Sequence, residues 1–215
     1  MSLSEGGPLG IPISRAILLP PGTFGEVLRL ALEAIDQVHG DGTLTEIYID
    51  IDPMLDEESM YHWIKPVGIP WNIALRPGTR HPRLNLVHEV GHFLDHQAIG
   101  MPGTFASANH AAFERWRETV QTTDAVARLR AVAAQSRNRR AIDYADYLLG
   151  VEEMWARSYA QFVTIRSGQS ELLVELREKQ RRSSRSSLPV QWDETDFLPV
   201  EESVAILFRD IGWMR

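Results

Sequence analysis

The chain has 215 residues, 44% hydrophobic and 24% charged, as in an ordinary globular protein with enough apolar material for its own core. A formal charge of −7 argues against a general nucleic-acid binder, which carries a basic surplus. The lack of cysteine excludes thiolate–zinc sites, thiol nucleophiles, iron–sulfur clusters and disulfide frameworks.

Residues 1–23 are rich in Gly, Pro and Ser and read as a mobile arm that becomes ordered near RAILLPPG. No basic start followed by an apolar stretch is present, so no signal peptide is expected. No apolar run approaches the roughly 18 residues of a membrane span. The expected location is cytoplasmic, or secreted or delivered without disulfides. Residues 24–215 read as one domain. TFGEVLRLALEAIDQVHGDG has the spacing of an amphipathic helix, with Thr23 as a candidate N-cap and Gly40 as a stop. LTEIYIDID alternates as a strand does, and the acidic DPMLDEES after it reads as a loop or helix start. GIPWNIALRPG is a second strand, which its prolines confine to a sheet edge.

From Pro82 the pattern turns helical. RLNLVHEVGHFLDHQAIG reads as one helix closed by Gly100 and Pro102. ASANHAAFERWRETVQTTDAVARLRAVAAQSRNRR reads as a helical hairpin broken near TTD, so residues 99–140 form a helical insertion. VEEMWARSYAQFVTIRSG is a further helix capped by Gly168. ELLVELREKQ runs into a basic, serine-rich exposed loop at about 181–188, and PVEESVAILFRDIGW returns to the core as a last short helix.

The chemistry is concentrated in NLVHEVGHFLDHQ. On a helix, His88 and His92 share one face and are close enough to chelate one ion. Glu89 then lies beside the metal, where a general base for an activated water belongs. With seven histidines, chance produces HExxH about 0.02 times in a chain of this composition, so the motif is informative. Gly91 costs about 1 kcal/mol in a helix interior and predicts a close approach by another backbone or by substrate. His96 lies one turn beyond His92, about 6 Å along the axis, too far to complete the same tetrahedral site. It is expected at the surface or in support of a ligand.

A catalytic zinc needs a third protein ligand, expected from a second helix packed against the first. In GVEEMWARSYAQF, helical spacing from Glu153 gives Ala156, Ala160 and Val163, small residues that allow close approach. Spacing from Glu152 gives Trp155, Tyr159 and Phe162, a core-filling face. Glu153 is therefore preferred, while Glu152, Glu114, Glu118, Asp143 and Asp146 remain open as alternatives. Asp95 is placed to accept the second N–H of His92, or to pair with Arg157. Tyr144 and Tyr147 are candidate donors to a developing oxyanion.

Taken together, HEVGHFLDH and EEMWARSYAQF, with Glu153 sixty-one residues after His92, resemble a zincin metallopeptidase of the gluzincin type. They are similar to the lethal-factor-like peptidases, the Pro-Pro endopeptidases and zincin domains of phage and toxin proteins. Those relatives carry HExGHxxD and a ligand glutamate that opens a helix written roughly E-x-F-A; here Trp155 replaces the phenylalanine. The resemblance implies Zn2+ held by His88, His92 and Glu153, with Glu89 as base. It also implies a transition-state tyrosine shortly before the ligand glutamate, for which Tyr147 and Tyr144 are the candidates. The implied fold is α+β and zincin-like, mainly helical, with a small mixed sheet whose edge strand borders the active-site cleft. The implied activity is that of a zinc-dependent endopeptidase acting on a peptide or protein, with no nucleic acid and no membrane span involved. The alternatives are a non-catalytic zinc-stabilised regulatory or interaction domain and a metal-free module; a base beside the metal favours the enzyme.

Overall fold

The computed structural model describes residues 10–40, 44–185 and 188–214, an α+β fold of helices around one small mixed sheet. The predicted arm falls partly outside these residues. From Ile13 onward it belongs to the core: Ile13 and Ile17 are buried, and β1 (Ile17–Leu18) pairs parallel with β2 (Ile47–Ile51). Between them runs α1 (Thr23–Val38), whose Leu28, Ala31, Leu32 and Ile35 form one buried stripe. Gly22 occupies the N-cap at φ 90°, so Thr23 is the first helical residue rather than the cap.

The sheet corrects the reading of residues 59–75. Both β3 (Ser59–Ile64) and β4 (Ile69–Leu75) are strands, in the order β1-β2-β4-β3. GIPWNIAL is therefore interior, parallel to β2 and antiparallel to β3, and the edge belongs to β3, a stretch not read as a strand. Pro70 is tolerated because β2 pairs only with Asn72–Leu75. Pro70 itself faces Trp63 next to a register shift. SMYHWI hides its pattern because only Tyr61 is fully buried. The β3–β4 turn meets the loop after the histidine helix at van der Waals range: a Cβ on Gly68 would lie 2.6 Å from Gly103 Cα.

α2 (Pro82–Gln97) is enclosed on most sides, with Leu84, Leu86, Val87, Val90, Phe93 and Leu94 all buried. The predicted hairpin becomes α3 (Ala106–Asn109), α4 (Glu114–Gln121) and α5 (Asp124–Gln135), the break at TTD being capped by Thr123. This segment shares the main core, where Phe113 and Trp116 pack edge-on against Trp155. DYADYL, not read as an element from sequence, belongs to α6 (Arg139–Leu148). α7 (Val151–Ser167) is buried from Glu153 to Thr164 and stops at Gly168, φ 64°, as expected.

α8 (Ser170–Arg185) runs through most of the stretch read as a basic loop; residues 186–187 lie outside the described residues. Ser183 explains the difference: it is buried, donates to Lys179 O at 2.9 Å and accepts from Val190 N at 3.1 Å. α9 (Glu194–Asp210) begins ahead of Pro199, with Asp196 accepting from the first N–H groups of α5. Among the described residues no helix is long and apolar enough to cross a membrane.

Candidate metal centre

His88 and His92 leave one face of α2, their ring centroids 4.9 Å apart and their planes at 84°. α7 crosses α2 beside that face, and Gly91 sets the distance. A Cβ there would lie 3.1 Å from Ala156 Cα and 2.9 Å from the Tyr159 ring. Trp155 Nε1 donates to Gly91 O at 3.1 Å and fixes the crossing. The small face of α7 is where spacing placed it, with Ala156 and Ala160 fully buried.

That crossing brings Glu153 to the histidines. Its Oε2 lies 3.3 Å from His88 Nε2 and 3.6 Å from His92 Nε2, and the three ligand atoms all lie within 4.8 Å of one another. Around a tetrahedral ion with bonds of about 2.1 Å, neighbouring donors stand about 3.4 Å apart. The two imidazole–carboxylate edges fit that spacing. Glu114, Glu118, Asp143 and Asp146 are exposed and outside the trio, and Glu152 turns to the cavity rim.

The charges are mutually supporting. Burial alone would raise the Glu153 carboxyl, but the two imidazoles outweigh it and hold the group well below the usual carboxylate range. Burial lowers His92, yet Glu153, Glu89 and Asp95 together raise it. Arg157 Nε approaches the other carboxylate oxygen, Oε1, at 3.7 Å. The same guanidinium donates to Leu148 O at 2.8 Å and Pro189 O at 3.2 Å. Glu153 is thereby oriented, Oε2 toward the histidines and Oε1 toward Arg157.

Glu89 stands beside the trio rather than in it. It is 4% exposed, and its Oε1 accepts from Ser59 Oγ at 2.6 Å while lying 4.0 Å from His88 Nε2. Ser59 was not singled out because it opens the strand that alternation failed to mark. Tyr147 donates its hydroxyl to Glu153 Oε2 at 2.8 Å, and partial burial followed by that carboxylate pushes its phenol pKa up, so the proton stays on. Tyr144 stacks on Tyr147 at 6.1 Å and 13° without such a bond to the trio.

Two expectations are corrected. Both oxygens of Asp95 accept from Ser107, N and Oγ, at 2.6 Å each. Asp95 therefore secures the first turn of α3 instead of holding His92 or pairing with Arg157, and burial raises its pKa to about 7. His96 is neither at the surface nor on the trio: it is buried among Tyr61, Trp63 and Phe105, with Nδ1 2.8 Å from Tyr61 Oη.

A cavity of about 920 Å³ lies over the trio, with walls from β3, α2 and the α6–α7 corner. Trp63 and Phe105 line it on the side of His92 and His96, and Asn85 and Lys179 line it toward the start of α2. No protein-family profile, curated protein or solved structure matches the chain.

Proposed function

We propose that the chain is a zinc-dependent endopeptidase of zincin type, with His88, His92 and Glu153 as metal ligands and Glu89 as general base. The observation that carries this reading is the spacing of two Nε2 atoms about one carboxylate oxygen at tetrahedral distances, with a second, non-ligating carboxylate beside them. A purely structural site has no use for that second carboxylate.

Zinc, when bound, supplies the Lewis acid that acidifies a water and polarises a peptide carbonyl. Glu89, held at Oε1 by Ser59, takes the water's proton at its other oxygen and passes it to the leaving amide nitrogen. Tyr147 turns its hydroxyl from Glu153 to the carbonyl oxygen as charge develops there. β3, whose outer side pairs with no strand among the described residues, runs along the cavity and aligns an extended peptide by main-chain hydrogen bonds. Arg157 keeps Glu153 facing the histidines throughout.

Elemental analysis of the purified protein tests the ligand set: about one zinc per chain is expected, and much less in Glu153→Ala. Unchanged zinc in that variant overturns the assignment. A peptide-library cleavage assay tests the chemistry. Glu89→Gln should keep its zinc and lose hydrolysis, whereas the wild type should lose both on chelation. Zinc binding without cleavage of any peptide would instead mark a zinc-stabilised regulatory domain.

A further inference from the structure

Lys179 is a charged group that the mechanism above does not use. It projects from α8, one turn after Glu175, whose carboxylate accepts from Arg83 at 3.0 Å and from Leu84 N at 2.8 Å at the start of α2. The lysine thus reaches the same end of α2, where Nζ donates to Asn85 Oδ1 at 2.9 Å and lines the cavity. Asn85 is one turn before Glu89 on α2. The residue that holds the ammonium is thus about 6 Å from Glu89 along the helix axis, which puts the ammonium about one helical turn from the catalytic carboxylate.

Its surroundings leave this cation undercommitted. Asn85 is its one hydrogen-bond partner among the described residues, and no carboxylate there comes within the 4.0 Å of an ion pair. The carboxylates in its field are each engaged elsewhere. Glu58 accepts from Asn85, Glu89 from Ser59, Glu175 from Arg83, and Glu153 faces the histidines. A partly buried ammonium with one neutral partner is costly to hold unless something completes its shell.

We propose that Lys179 is a specificity-determining residue that takes a carboxylate of the substrate. The proposal rests on the peptidase reading. At about 3.3 Å per residue of extended chain, the carboxylate lies about two residues from the bond that is cut. Two sources supply that chemistry: the C-terminal carboxylate of a peptide, or an internal Asp or Glu side chain. The opposite end of the cavity differs in character. Trp63 and Phe105 meet there edge-to-face at 5.2 Å, and Phe105 also packs edge-on to His92 at 6.4 Å. An apolar side chain suits that end, so the substrate class is a peptide with an acidic group on one side of the scissile bond and an apolar residue on the other.

The test uses zinc-loaded Glu89→Gln protein, so that binding is read without turnover. Dissociation constants are measured by calorimetry for two peptide pairs, free C-terminus against C-terminal amide and internal Glu against Gln. One pair should show about tenfold or greater preference for the carboxylate, and which pair does so identifies the source. Adding Lys179→Met should erase the preference, while Lys179→Arg should retain most of it; zinc content and thermal unfolding report whether each variant is folded. Equal affinities within both pairs overturn the proposal, whether or not the variants fold. A preference that persists in folded Lys179→Met also overturns it. Carboxylate-selective binding by a protein that cleaves no peptide in its Glu89 form would uphold Lys179 and reject the peptidase reading.

Discussion

At the scale of single residues, the centre depends on how many jobs one carboxylate performs. Glu153 faces two imidazoles through Oε2, accepts from Tyr147 at the same atom and meets Arg157 through Oε1. If the chain is the proposed peptidase, removing the Tyr147 hydroxyl should therefore separate catalysis from metal binding. Tyr147→Phe is expected to lower kcat about a hundredfold, the usual effect of losing one oxyanion donor, with zinc content unchanged. A kcat within about twofold of wild type would remove Tyr147 from the mechanism. His88, Glu89 and His92 were legible in the sequence because helical spacing alone makes them neighbours. Glu153 was legible through the small residues below it. Ser59, Asn85 and Lys179 were not, since each reaches the site from a separate element and no local pattern marks such a contact. Asp95 misled for the same reason: its partner, Ser107, lies across a loop.

Among elements, the α2–α7 crossing is the joint on which the site depends. Because Gly91 lies against Ala156 and Tyr159, Gly91→Ala should force the two helices apart. Overpacking costs about 1–3 kcal/mol, and the better helix propensity of alanine returns about 1 kcal/mol of it. A net drop of a few degrees in Tm is expected, together with weaker zinc affinity as the histidine–glutamate edges widen. A variant as stable as wild type, with unchanged zinc affinity, would show that the crossing has slack. The helices were readable because their caps and periods are local. The sheet was less so: whether a proline sits at an edge depends on how far the neighbouring strand extends, and β2 stops short of Pro70.

At the scale of the whole molecule, His39 joins three distant parts of the chain. Its Nδ1 bonds Gly40 O at 2.8 Å, its Nε2 accepts from Tyr159 Oη at 2.9 Å, and Trp213 stacks on its ring at 5.5 Å. Burial among these aromatics lowers its pKa from 6.5 to about 4, so the imidazole is neutral in the folded protein. The unfolded chain takes up this proton first as pH falls, so the stabilisation is complete above pH 6.5 and is lost toward pH 4. Urea unfolding should show about 2 kcal/mol of this loss by pH 5 and about 3 kcal/mol in full. His39→Gln should be less stable at pH 7.5 and should show an acid loss smaller by that amount. Identical pH profiles for the two proteins would exclude His39 as a source of acid sensitivity. The free edge of β3 has a different consequence, for the behaviour of many molecules together. Among the described residues no strand pairs with the outer side of β3, and N–H and C=O groups on such an edge are a template for another copy of the same strand, a hazard of self-association. Glu57, Glu58 and Lys65 bracket the strand with charge, and the irregularity between His62 and Trp63 breaks its run. Flanking charge and an irregular run are the features that oppose such pairing at a sheet edge.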